Sequence, residues 1–131
     1  MSIEKLREES MAKIIKANLW VALEERSGGL CEICYKAGPR NLHHILGRGK
    51  PKGFKRMPQE VWDAWPEVEF LCIMICRGIH GFGDRSGRIH GALRHNAPAL
   101  LALILLRYGD RMWEGRTYRE WLNEEPFRGW L

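Results

Sequence analysis

The sequence has no apolar run long enough to cross a membrane. Its longest one, residues 97–106, includes Pro98 and ends at Arg107, so it falls well short of the roughly 20 residues that a bilayer span requires. The first nine residues mix both charges and lack the apolar core of a signal peptide. We therefore expect neither a membrane partner nor export, and we expect a cytoplasmic location.

Low-complexity segments and internal repeats are also missing. The 131 residues are 45% apolar and 28% charged, which is the composition of a folded globular protein. A chain of this length favours one domain. We predict a single domain over residues 1–131, with an N-terminal helix (1–30), a central core (31–95) and C-terminal helices (96–131).

Acidic residues are absent from residues 36–59, although the whole chain carries 16 of them. The same segment holds seven cations: Lys36, Arg40, Arg48, Lys50, Lys52, Lys55 and Arg56. Most of them lie in residues 47–56, a glycine- and proline-containing loop that we expect to be exposed and mobile. A long polyanion is the partner that such a concentration attracts, so we predict contact with phosphates.

All four cysteines and four of the five histidines fall within residues 31–90. The cysteines arrive as a C-x2-C pair and a C-x3-C pair: Cys31, Cys34, Cys72 and Cys76. Four thiols in two pairs suit a closed tetrahedral Zn²⁺ site with a structural role. Two disulfides and a redox dithiol are the alternatives. The missing export signal disfavours the first, and the second would not need the second pair.

Two adjacent histidines, His43 and His44, have apolar neighbours on both sides, which is the pattern of a short strand. Adjacent side chains of a strand point to opposite faces, so both rings reach one ligand only where the backbone bends or twists. The pattern allows two roles: one imidazole binds a cation while its neighbour accepts a proton.

The second cysteine pair lies within a segment that continues to further histidines. Residues 67–72 alternate polar and apolar side chains, which predicts a half-buried strand. Cys76 and His80 are four apart, so one helical turn would bring both to one side and His80 close to His43. His90 follows in a basic segment that includes Arg88; it is either a second-shell or phosphate ligand or a surface residue.

Helix signals flank this region. Residues 2–27 have the apolar spacing of an amphipathic helix that ends at Gly28. Asn96 precedes Ala97-Pro98, as an N-cap followed by a first-turn proline, and predicts an apolar helix from there to about residue 106. Thr117 and Glu120 have capping-box spacing, which predicts a last helix to about residue 123.

The histidine pair between two cysteine pairs, followed by His80, resembles the HNH endonucleases, in particular the small zinc-stapled ones common in phage genomes. The match spans residues 31–90. The resemblance implies an α+β fold with a ββα-metal (His-Me finger) core, a structural four-cysteine zinc site and flanking helices. It also implies that His43 and His80 bind the catalytic divalent cation and that His44 is the general base.

Two features depart from the family pattern. The second cysteine pair is C-x3-C with a histidine four residues beyond it, where the family has C-x2-C-H. Glu67 stands where the family's middle asparagine is expected. Cys76 or His90 could therefore be nearer the catalytic ion than His80, and Glu67 could take over the role of the asparagine.

By this resemblance the protein is a metal-dependent DNA endonuclease that nicks or cuts both strands, with Mg²⁺, Mn²⁺ or Ni²⁺ as the catalytic cation beside structural Zn²⁺. Phage nucleases of this kind often act beside the packaging terminase, which makes terminase a candidate partner, and the location would be the host cytoplasm. Monomer and homodimer both remain open. The expected DNA-binding residues are Arg48, Lys50, Lys52, Lys55, Arg56 and Arg88. The alternative is a zinc-stapled DNA-binding module without catalysis.

Overall fold

The structure is a computed structural model that describes residues 2–3, 18–51, 56–76, 93 and 95–131. Residues 18–27 form helix α1. Further elements of the described ranges are β1 (Arg40–His44), α2 (Gln59–Asp63), β2 (Cys72–Cys76), α3 (Ala97–Tyr108), β3 (Met112–Trp113), β4 (Arg116–Thr117) and α4 (Tyr118–Leu122), with 3-10 turns at Glu69–Leu71 and Phe127–Trp130. The fold is thus mixed α/β. No helix within these ranges has the length and apolar character needed to cross a membrane.

The strands β1 and β2 form an antiparallel pair that is covered on both faces. In its register Arg40 lies opposite Cys76 and His44 lies opposite Cys72. One face packs on α1, in a cluster made by Leu19, Leu23, Leu42, Cys72 and Met74. The other face, with Ile73 and Ile75, packs into the main core beside α3. A strand buried on both sides reads as a continuous apolar run rather than as an alternation.

The main core is built around Phe70, which is fully buried. Its ring centroid lies 5.4 Å from that of Trp113, 5.8 Å from Tyr118, 6.1 Å from Trp121 and 5.6 Å from Phe127. Most of these pairs meet edge to face, the geometry that aromatic quadrupoles favour. The C-terminal segments are therefore tied to the turn that leads into β2.

The predicted helix ends are confirmed within the described residues. Helix α1 ends before Gly28 and Gly29, which have φ of 65° and 78°, a region where a glycine carries no steric cost. The Asn96 side chain accepts a hydrogen bond from Ala99 N at 3.2 Å at the start of α3. The capping box of Thr117 and Glu120 is present at the start of α4.

The strand predicted over residues 67–72 was wrong in part. Residues 69–71 form a 3-10 turn instead of a strand, and the strand begins at Cys72. Residues 73–76 continue that strand, and the helical turn predicted between Cys76 and His80 falls on residues 77–80, outside the described ranges. The physical reason is that Ile73 and Ile75 bury their side chains in the main core while Met74 packs beneath α1, and β-branched residues favour a strand in such a position.

Replacing Phe70 by alanine should lower the free energy of unfolding by about 3–5 kcal/mol, because a large ring leaves a cavity among four aromatic neighbours. Chemical denaturation followed by tryptophan fluorescence measures the change. Leu106 is 86% exposed, so Leu106→Ala serves as the control and should change stability by less than about 0.5 kcal/mol. Equal effects of the two substitutions would contradict this description of the core.

Candidate metal centre

Three sulfurs meet at one end of the β1–β2 pair. The Sγ atoms of Cys31, Cys34 and Cys76 all lie within 4.8 Å of one another, and those of Cys34 and Cys76 are 3.4 Å apart. A tetrahedral Zn²⁺ site with Zn–S bonds of about 2.3 Å has sulfurs about 3.8 Å apart. The three cysteines are therefore placed to hold one metal ion, and their spacing and thiol chemistry fit structural zinc. All four cysteines of the chain lie in the described ranges, and none forms a disulfide.

Cys31 and Cys34 lie on a tight turn of the kind that presents two thiolates to one ion. The backbone N–H groups of Ile33 and Cys34 point at the Cys31 sulfur, at 3.4 and 3.5 Å. The chain reverses there through hydrogen bonds from Tyr35 N to Cys31 O (2.9 Å) and from Cys31 N to Lys36 O (3.0 Å). The residue that takes positive φ directly after Cys34 is Tyr35, at 61°, rather than a glycine. We call residues 31–36 the cysteine knuckle.

The pKa values of the Cys31 and Cys76 thiols are shifted in opposite directions. Burial acts against ionisation of Cys31, but the backbone N–H donors of Cys34 and Ile33 lower its pKa overall. Burial raises the pKa of the Cys76 thiol, and the neighbouring Cys34 and Cys31 sulfurs raise it further. Zinc binds the thiolate forms, so loading the site releases the remaining thiol protons and becomes weaker as the pH falls.

Cys72, the fourth predicted zinc ligand, is not brought to this cluster. It stands four residues before Cys76 on an extended strand, which separates their α-carbons by about 13 Å. Its side chain is fully buried beneath α1, and its thiol donates to Pro66 O at 3.7 Å. Burial raises the pKa of Cys72 to about 12. Cys72 therefore packs as a small apolar residue.

A buried ion pair, which was not predicted from the sequence, lies beside the knuckle. Glu32, between two of the cysteines, is 1% exposed, and Arg26 of α1 is 8% exposed. The Arg26 guanidinium donates to both carboxylate oxygens of Glu32, at 2.7 and 3.0 Å. Burial acts to lower the pKa of Arg26, but the Glu32 carboxylate raises it above its usual value. The available sequence signal was Arg26, a charged residue on the predicted amphipathic helix. A charged side chain that such a helix buries usually needs a partner of opposite charge.

The two predicted catalytic histidines lie at the opposite end of the strand pair from the sulfurs. His43 is opposite Ile73 and His44 is opposite Cys72, and both side chains are half-buried. Because strand residues alternate, His43 projects to the main-core face and His44 to the α1 face. His80 and His90, the other candidate ligands of the catalytic cation, lie outside the described residues. Cys76, which the sequence left open as such a ligand, lies with the other two sulfurs instead.

Two tryptophans contact the basic loop that follows β1. Trp65 Nε1 donates to Arg48 O at 3.1 Å, and the Lys50 ammonium lies 4.7 Å from the centroid of the Trp62 ring. The side chains of Arg48, Lys50 and Arg56 are exposed. The other predicted DNA-binding residues, Lys52, Lys55 and Arg88, lie outside the described ranges.

Glu67, which stands at the position of the family's asparagine, is half-buried. It lies close enough to Cys72 for its charge to raise the pKa of that thiol. It lines a pocket together with Leu19 and Ala22 of α1, and His44 projects onto the α1 face of the strand pair.

Comparison with known proteins adds no identification. No protein-family model matches the chain, and neither the curated proteins nor the solved structures give a match. The site must therefore be interpreted from its own geometry and chemistry.

Serine substitution of Cys31, Cys34 or Cys76 should abolish stoichiometric zinc binding and lower the melting temperature, because the metal contributes its binding free energy to folding. Cys72→Ala is the matched control: it should keep its zinc and lose only about 1 kcal/mol of stability, the value of a small buried group. Elemental analysis after gel filtration and thermal unfolding measure the two properties. A Cys72→Ala protein without zinc would show that the ligand set is wrong.

Proposed function

We propose that the protein is a metal-dependent DNA endonuclease of the HNH type, which nicks or cuts both strands of DNA. The observation that carries the proposal is the position of His43 and His44 at the end of β1, paired antiparallel with β2. The three clustered cysteines lie at the other end of the same pair. Two strands with a terminal histidine pair are the first two elements that the family resemblance implies, and His80, the ligand implied for the third element, lies outside the described ranges.

In the proposed mechanism each histidine has one role. His43 and His80 would hold a divalent cation, Mg²⁺, Mn²⁺ or Ni²⁺, which would stabilise charge on the scissile phosphate and on the leaving 3′ oxygen. A ring nitrogen of His44 accepts the proton of the attacking water. The products are a 5′-phosphate and a 3′-hydroxyl. Structural zinc takes no part in this chemistry, since the sulfurs lie three to four strand residues away, about 10–13 Å.

The exposed cations after β1 support DNA as the substrate. Arg48 and Lys50 follow His44 within six residues and, with Arg56, face solvent. The contacts of Trp65 with the Arg48 carbonyl and of Trp62 with the Lys50 ammonium restrict this part of the loop. Cations held in this way can contact phosphates without reading the base sequence. Action with the phage packaging terminase in a host cytoplasm belongs to the same proposal and rests on the resemblance alone.

A zinc-stapled DNA-binding module without catalysis is the second candidate. The observation that favours it is the unbroken register of β1 and β2 through both histidines. Such a register sends the two imidazoles to opposite faces, whereas catalysis at one phosphate needs both of them near the same cation.

His44→Ala should lower the cleavage rate by about 10²–10⁴-fold, the usual contribution of a general base. Zinc content and DNA affinity should remain near those of the unmodified protein. Relaxation of supercoiled plasmid with Mg²⁺, Mn²⁺ or Ni²⁺, against an EDTA control, measures the rate. His95 is exposed, so His95→Ala should cleave normally. Absence of cleavage by the unmodified protein with every cation would favour the second candidate.

Lys50→Ala should weaken DNA binding about equally for unrelated sequences. Removing one phosphate contact lowers the slope of log K against log salt concentration by about 1. Fluorescence anisotropy with a labelled duplex at several salt concentrations measures this slope. Arg128 is an exposed cation of the C-terminal turn, and Arg128→Ala should leave the slope unchanged. Equal slopes for the Lys50 variant and the unmodified protein would exclude this contact.

A further inference from the structure

The two segments that carry the sulfurs meet through Glu32. Its carboxylate oxygen Oε1 accepts a hydrogen bond from Met74 N at 2.8 Å, and its backbone N–H donates to Met74 O, also at 2.8 Å. Met74 stands two residues before Cys76 on β2. These two hydrogen bonds therefore fix the cysteine knuckle alongside the strand that supplies the third sulfur.

The Arg26 guanidinium fixes the orientation of that carboxylate. The side chains of the pair are both 0% exposed and meet at 2.7 Å, and a bidentate contact of this kind constrains direction as well as distance. The same guanidinium donates to the carbonyls of Cys72 and Glu69, each at 2.8 Å. Since these carbonyls lie at the start of β2 and in the turn before it, Arg26 aligns the knuckle with β2 from its other end.

A contact from α3 holds the opposite side of the knuckle. The Arg107 guanidinium donates to Glu32 O and lies over the Tyr35 ring, 3.9 Å from its centroid. The knuckle is thus held by α3 through its backbone and by α1 through the Glu32 side chain. Strand β2 contacts both the backbone and the side chain of Glu32. The Glu32 side chain is the part of the knuckle that contacts both α1 and the strand bearing Cys76.

We propose that Arg26 and Glu32 are the positioning residues of the metal centre: they hold Cys31 and Cys34 against Cys76 and so set the affinity for zinc. Neither side chain supplies an atom to the ion. Because Arg26 belongs to α1, zinc binding and the ordering of α1 stabilise each other, as linkage requires. This role concerns metal binding alone and holds whether or not the protein cleaves DNA.

Glu32→Gln tests the role, since it removes the charge and keeps the size of the side chain. Zinc affinity, measured by competition with a chelator of known affinity, should fall about 10- to 100-fold. This is the usual effect of losing a group that orients the metal ligands. Cobalt bound in place of zinc should show changed d–d absorption bands, because the three sulfurs no longer surround the ion in the same geometry. Zinc should also slow hydrogen exchange of the α1 amides less than it does in the unmodified protein.

A double substitution, Arg26→Met with Glu32→Leu, provides a second variant that leaves no unpaired buried charge and should fold. It too should bind zinc about 10- to 100-fold more weakly. The matched control is Arg40→Met, which breaks the partly exposed pair of Arg40 with Glu24 (2.6 Å). That pair also joins α1 to the strand pair beside Cys76 but does not touch the knuckle, so zinc affinity should change less than about twofold.

The outcomes separate positioning from general stability. Weak zinc binding with altered cobalt bands in both Glu32→Gln and the double variant, and not in Arg40→Met, supports the proposal. Zinc affinity within twofold of normal in both variants overturns it. Weak binding with an unchanged cobalt spectrum, or equal weakening by Arg40→Met, also overturns it, because the pair would then act only through the overall stability of the fold.

Discussion

The structure depends on one buried cation, Arg26, whose N–H donors are all hydrogen-bonded. The Arg26 guanidinium has five N–H donors, and five hydrogen bonds engage them: two to Glu32 and one each to Glu69 O, Cys72 O and Tyr118 Oη. These acceptors belong to the knuckle, the 3-10 turn, β2 and α4. Removing one partner would leave an uncompensated buried charge, a loss of about 3–5 kcal/mol. Segments distant in sequence are therefore held to one arrangement around α1.

This arrangement explains why the metal centre and the histidines lie apart. The antiparallel register puts Arg40 beside Cys76 and His44 beside Cys72, so one end of the pair is close to the sulfurs and the other carries the imidazoles. An ion at the sulfur end would stiffen both strands, and through them the segment that displays His43 and His44. Zinc can thus support a site at the far end without contact with it.

The cationic side chains also differ between the two ends of the strand pair. Near the knuckle three arginines make internal contacts: Arg26 with Glu32, Arg40 with Glu24 and Arg107 with the Glu32 carbonyl. Beyond His44 the described cations Arg48, Lys50 and Arg56 face solvent. Two tryptophans contact Lys50 and the backbone at Arg48. Those exposed cations remain available to a polyanion, although all of them counted equally toward the basic composition.

Local chemistry was enough to predict several elements from the sequence. Asn96 before a proline, the Thr117–Glu120 capping box and Gly28 after an amphipathic stretch each act within a few residues. The C-x2-C spacing identified the knuckle for the same reason, since both sulfurs belong to one turn. The described helix ends and two of the three clustered cysteines follow from such short-range rules.

Tertiary structure decided what depends on contacts across the chain. The spacing of Cys72 and Cys76 fits one ion on a turn or a helix, but β2 is extended because both of its faces are buried, so only Cys76 reaches the knuckle. In the sequence Glu32 is only a residue between two cysteines, and its contact with Arg26 of α1 is seen only in the fold. The sequence by itself determined which residue types are present: thiols that suit a metal ion and cations that suit phosphate. Packing determined which of them meet, because the strand conformation and the buried ion pair are fixed by neighbours more than 40 residues away.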